Sequence, residues 1–171
     1  MNQGFTVVDA GFSNNSIIFL EPRNLLLGGG YPMIFTGLSK NKTREIGFSN
    51  KAPSYRKERK GINIFGICNF KKYKTFKKEV IARIKKKKLD LIKERNELFC
   101  PEGEATIIPK TIGFYLCKFK IYGQKLVDNR VVLFDNNENE ANNKDSFKYF
   151  NPELNGEVMV NELILEVLKY L

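Results

Sequence analysis

The chain has no histidine and no tryptophan among its 171 residues, and only three cysteines. Without histidine it lacks the commonest general base and the commonest metal ligand at neutral pH. Cys68, Cys100 and Cys117 show no paired spacing, so a zinc site would need all three thiolates and a carboxylate. An odd set of unpaired cysteines reads as reduced thiols in a cytosolic compartment. Cys100, between Phe99 and Pro101, is expected to be the most exposed. Cys68 and Cys117 lie in strand-like runs and are expected to be buried. No apolar run approaches the roughly 20 residues needed to cross a bilayer. Residues Met1 to Phe5 lack the basic-then-apolar pattern of a secretory leader. The expected location is cytoplasmic, or within a virion assembled in the cytoplasm, with no membrane partner.

Signatures of catalysis are equally scarce. Gly28-Gly29-Gly30 is followed by no Gly-Lys-Ser/Thr, and Lys42-Thr43 lacks the preceding glycine, so neither is a phosphate loop. Glu58-Arg59-Lys60 has the Glu-x-Lys form of some metal-dependent nucleases, in which the carboxylate holds a divalent ion. It lies in a polar stretch, whereas that chemistry needs a buried strand beside a second acid. Asp90, Glu94 and Glu97, beside Lys93 and Arg95, read as surface ion pairs along a helix. No catalytic, cofactor-binding or metal-binding residue is assigned. No cofactor and no small-molecule substrate are expected, and the chain reads as non-enzymatic.

Hydrophobic residues make up 42% of the sequence, enough for one globular domain spanning residues 1–171. Phe5–Val8, Ser16–Leu20 and Met33–Thr36 are short runs of β-formers. Residues 40–61 are polar and basic and read as an extended loop or arm. Ile62–Phe70 reads as a central strand. From Thr75 to Phe99, the positions Phe76, Val80, Ile84, Leu91 and Leu98 form a helical stripe that Ile81 and Ile92 widen. Thr75 would cap this helix and Pro101 would stop it. The run Lys85-Lys86-Lys87-Lys88 sweeps most of a helical turn, so one lysine would have to face the apolar side.

Ala105–Pro109, Thr111–Tyr122 and Lys125–Phe134 read as three further strands, with Gly123-Gln124 as a two-residue hairpin turn. Residues 135–148 read as a polar loop. Val160, Leu163, Ile164, Val167, Leu168 and Leu171 follow an i, i+3, i+4 pattern that predicts a short C-terminal helix capped by Asn161. Residues 156–160 alternatively read as a short strand. The expected fold is α+β: a mostly antiparallel sheet of about six to eight short strands, one long central amphipathic helix and a short C-terminal helix.

Charge is segregated along the chain. Residues 40–88 carry 18 basic side chains against three acids, whereas residues 135–171 carry eight acids against three lysines. The candidate interface residues fall in the basic half. Lys51, Arg56, Lys57, Arg59 and Lys60 lie on the arm. Lys71, Lys72, Tyr73, Lys74, Lys77, Lys78, Lys85 and Lys86 follow it. Three readings of this layout stand side by side. It is a solvated lysine-rich face. It is a nucleic-acid surface contacting the phosphate backbone, with aromatic residues between the cations. Or it is an assembly surface on which basic and acidic faces of identical subunits dock.

The usage of 22 lysines against seven arginines, with much Asn, Ile and Phe, is that of an AT-rich genome. The preferred expectation is a homo-oligomeric structural subunit of a multi-copy particle, such as a phage head or tail component. Its partners would be copies of itself or other subunits of the assembly. A nucleic-acid-binding protein is the alternative, and a metal-dependent nuclease a remote third.

Overall fold

The computed structural model describes residues 32–39, 42–82 and 84–171. The expected strands at 5–8 and 16–20 and the Gly28–Gly30 break lie outside these residues. The described part is a mostly antiparallel β structure made of two five-stranded sheets. The first sheet contains β1 (Met33–Thr36), β5 (Lys88–Asp90), β7 (Cys117–Val127), β8 (Arg130–Ala141) and β10 (Glu157–Tyr170). Its order is β1-β10-β7-β8, and β5 shares with β1 the other edge of β10. The second sheet contains β2 (Thr43–Gly47), β3 (Gly61–Cys68), β4 (Glu79–Ala82), β6 (Ile107–Tyr115) and β9 (Ser146–Phe150). Its order is β2-β9-β6-β3-β4, which makes β3 an internal strand.

The inner faces follow from alternation. Cys117, Phe119 and Ile121 of β7 are buried, while Lys118, Lys120 and Tyr122 between them are not. Leu163, Leu165 and Val167 of β10 face the same core as Ile64 of β3 and Ile112 of β6. The chain passes from one sheet to the other between β6 and β7 at Leu116, a buried residue with φ of 44°. This pivot lays the fully buried rings of Phe114 and Phe119 face to face, with centroids 3.6 Å apart.

The long central helix expected over 75–99 does not form, and the fold is not α+β. That segment contains β4, β5 and a 3₁₀ turn at Arg95–Glu97. In β4, Val80 and Ala82 pack in the main core while Ile81 packs on the opposite face of its sheet. A strand covered on both faces carries apolar residues in succession, and this run coincided with a helical stripe. The four-lysine run leads from the second sheet to the first without a helical turn, Lys88 already belonging to β5, and Lys85, Lys86, Lys87 and Lys88 are all exposed.

The expected C-terminal helix is also absent: β10 runs for 14 residues there. Leu163, Leu165 and Val167 supply the period of two, and outward-facing Ile164 is buried as well, which produced the helical spacing. Asn161 caps nothing. It lies where the register between β10 and β7 shifts, and neither its amide nitrogen nor its amide oxygen has a hydrogen-bond partner among the described residues.

The β7–β8 turn is Asp128-Asn129, with φ of 48° and 60°, not Gly123-Gln124. Two consecutive left-handed residues form the turn type whose twist matches a hairpin. Gly123 lies inside β7 with φ of 155°, and a Cβ there would sit 2.0 Å from the carbonyl oxygen of Glu162. Residues 135–141, at the start of the expected polar loop, continue β8 to Ala141. Cys100 is buried rather than exposed, with Thr75 Oγ1 3.3 Å from its sulfur; Cys68 and Cys117 are buried too. No described helix is long and apolar enough to cross a membrane.

Candidate functional site

The residues of the basic half are dispersed over several elements. Residues 48–60 run along the outer face of the second sheet. The Phe48 N–H donates to the Asp145 carbonyl at 3.2 Å. At the other end, Asn63 accepts from the Arg59 N–H at 2.8 Å and donates to the Arg59 carbonyl at 2.7 Å. Arg56 pairs with Glu79 at 2.8 Å, and Lys60 Nζ reaches the Leu171 main-chain oxygen at 3.1 Å. Glu58 instead lines a cleft beneath the segment. Glu58 and Lys60 therefore turn to different surroundings, and no described group of acids and cysteines could hold a metal ion.

Lys71, Lys72, Lys74, Lys77 and Lys78 are exposed on the loop joining β3 and β4, and none of them forms a salt bridge with a described acid. Tyr73 is committed to the fold: its ring packs edge-on against Phe70 at 4.6 Å and its hydroxyl accepts from the Glu104 N–H at 3.1 Å. Lys86 is clamped by Glu94 and by Glu97, the latter at 2.6 Å. Hydrogen bonding to these carboxylates raises the Lys86 pKa, and Lys86 in turn lowers that of Glu94. Lys85 is exposed in the crossing between the sheets.

Half of the acids in the acidic segment, Asp135, Glu138, Glu140 and Glu166, pair with lysines of the chain. On the outer face of the first sheet Lys118 meets Glu138 at 3.2 Å, Lys120 meets Asp135 at 2.8 Å and Lys88 meets Glu166 at 3.7 Å. The hydrogen bond from Lys120 holds the Asp135 carboxyl below its ordinary value. Alternation on β7, β8 and β10 puts these opposite charges on one face of adjacent strands, which forms a ladder.

The other half of that face is apolar. Cross-strand register sets Ile34 of β1 beside Met159 of β10, Met159 beside Leu126 of β7, and Leu126 beside Val131 of β8. Leu133 follows on the same side of β8 and is 75% exposed; Ile34 is 60% exposed. The stripe ends at the outer edge of β8, which no described strand pairs. Between Arg130 and Asp135 this edge carries no charge; a bulge follows between Asp135 and Glu138, where Asn137 has φ of 54°, so the open stretch is confined to residues 131–134. The sequence signal was the exposed triplet Val131-Val132-Leu133, which reading as an ordinary strand passed over.

A second feature occupies the outer face of the second sheet. Phe65 and Phe147 stack at 5.5 Å over Gly113, where a Cβ would sit 2.9 Å from the Phe65 ring. Tyr149 meets Phe65 edge-on at 5.1 Å, and Phe48 meets Tyr115 edge-on at 4.8 Å. Above this floor, residues 48–58 enclose a cleft of about 730 Å³. Burial raises the Glu58 pKa and pushes the Tyr149 phenol up to about 12. The alternation Phe147-x-Tyr149 was its one sequence signal. The glycine that admits the rings became meaningful only in the sheet.

No family model, curated protein or solved structure matches the chain.

Proposed function

We propose that this chain is a non-enzymatic structural subunit that associates with copies of itself through the β8 edge and the adjoining apolar stripe. The observation that carries this reading is the continuous row Ile34–Met159–Leu126–Val131, with Leu133 beside it, ending at an outer edge of β8 that no described strand pairs. Antiparallel pairing of two β8 edges about a two-fold axis would join two first sheets and abut their stripes. Centring that pairing on Leu133 keeps the carboxylates of Asp135, Glu138 and Glu140 in the two copies apart. Strand pairing supplies the main-chain hydrogen bonds and the stripe supplies burial. Charge contributes less than the segregated sequence implies, because Asp135, Glu138, Glu140 and Glu166 already have lysine partners within the chain.

A multi-copy particle such as a phage head or tail, assembled in the cytoplasm, agrees with the AT-biased composition and the three free thiols. Sedimentation velocity over a concentration series tests the reading. Oligomers are expected that persist in 1 M salt, where charges are screened beyond about 3 Å. A monomer at every concentration, or oligomers that dissolve in salt, would refute it.

A further inference from the structure

We propose that the aromatic cleft under residues 48–58 binds single-stranded nucleic acid, with bases against its rings and phosphates along its lysines. The floor is a connected set of rings in which Phe48 remains 41% exposed and Tyr115 and Tyr149 are partly exposed. Exposed rings on a sheet face are the platform on which unstacked bases settle, and any base can use them because each has a π face. A duplex keeps its bases stacked inside and offers no such partner.

The walls carry matching charge. Lys51 and Lys57 line the cleft and have no described acid partner, whereas the charge of Arg56 is matched by Glu79 at 2.8 Å. Glu79 lines the cleft, and its neighbour Lys78 lies over the Tyr55 ring at 5.8 Å at the end of the β3–β4 loop that carries the exposed Lys71, Lys72, Lys74 and Lys77. Between residues 42 and 78 the chain holds 12 basic side chains and two acids. A backbone leaving the cleft would therefore follow a cationic track.

The cleft is built, not improvised. Its covering segment is held by Asp145 at one end and Asn63 at the other, and Arg56 ties its middle to β4. Of the two described acids that line the cleft, Glu79 pairs with Arg56 while Glu58 has no described salt-bridge partner, and it opposes phosphate. Removing its charge should therefore tighten binding, an effect that damage to the fold would not produce.

The experiment is fluorescence anisotropy with a labelled 12-nucleotide oligothymidine. An unlabelled duplex of equal length and a neutral oligosaccharide serve as competitors. Thermal melts check that each variant is folded. Binding is expected to weaken with salt. Phe48→Ala should weaken it about tenfold. The Lys51→Glu, Lys57→Glu pair should flatten the log–log salt dependence by about 1.4, two contacts at 0.7 each. Glu58→Gln should strengthen it severalfold. The proposal fails if the oligonucleotide does not bind, or if duplex or oligosaccharide competes equally. It fails too if Lys71→Glu, Lys72→Glu abolishes binding while Phe48→Ala leaves it unchanged, which would place the contact on the loop alone.

Discussion

Replacing Leu133 by Asp separates association from folding. In one chain Leu133 is 75% exposed, so the folded subunit gains little from it. The substitution should change subunit stability by no more than about 0.5 kcal/mol. Across a two-fold interface the same side chain counts twice. Covering a leucine is worth about 1.5–3 kcal/mol, so the pair contributes about 3–6 kcal/mol to association. At 1.4 kcal/mol per factor of ten, that corresponds to a fall of about 10²- to 10⁴-fold in the association constant. Two carboxylates brought together at the dyad would push the loss toward the upper end.

The assay is sedimentation velocity of both proteins over the same concentrations, with a denaturant titration of each under monomeric conditions. Ile108→Asp is the control, because Ile108 is 49% exposed but belongs to the other sheet. An association constant within threefold of the parent in L133D would refute the interface. Equal loss of association in the Ile108 variant would refute it as well.

Other consequences concern the fold that carries these surfaces. Phe119→Ala should cost about 3–5 kcal/mol by chemical denaturation, since the ring is fully buried. A double-mutant cycle with Phe114→Ala should give a ring–ring coupling of about 0.5 kcal/mol, near the lower bound, because directly superposed rings are not the favoured arrangement. Thr36→Val should stabilise the protein by about 1 kcal/mol, raising the denaturant midpoint, because the Thr36 hydroxyl is buried without a hydrogen-bond partner among the described residues.

Stability should also fall in alkali. Burial raises the Cys117 thiol from 9.0, and the Tyr149 phenol from 10.0, each to about 12. Each contribution is complete below the unfolded value and is lost as pH rises through the folded one. Between pH 8 and pH 11 the unfolding free energy should drop by roughly 2–3 kcal/mol from Cys117 alone. The Cys117→Ala variant should show a correspondingly smaller decline.

Short runs of β-formers were legible as strands in the sequence. Met33–Thr36 forms β1 as read, and Ile62 to Cys68 lies within an internal strand. Residues 75–99 and 160–171 were misread because buried apolar residues follow one another there: Val80-Ile81-Ala82 in β4 and Leu163-Ile164-Leu165 in β10 resemble helix faces. The hairpin turn was misplaced because Gly123 resembles a turn glycine, whereas it is required where the Glu162 carbonyl approaches.

The sequence by itself determined the lack of histidine chemistry, the excess of lysine and its confinement to one stretch of chain. It also determined the alternation of β7. Only the tertiary structure decided what those charges face. Register across four strands paired much of the acidic segment with lysines of the same chain. The same register aligned Ile34, Met159, Leu126 and Val131, which are remote in sequence, into one stripe. The seating of residues 48–58 on the outer face of the second sheet turned a basic stretch into the wall of an aromatic cleft. Such neighbours depend on strand order and register, and those are settled by burial across the whole domain rather than by any local pattern.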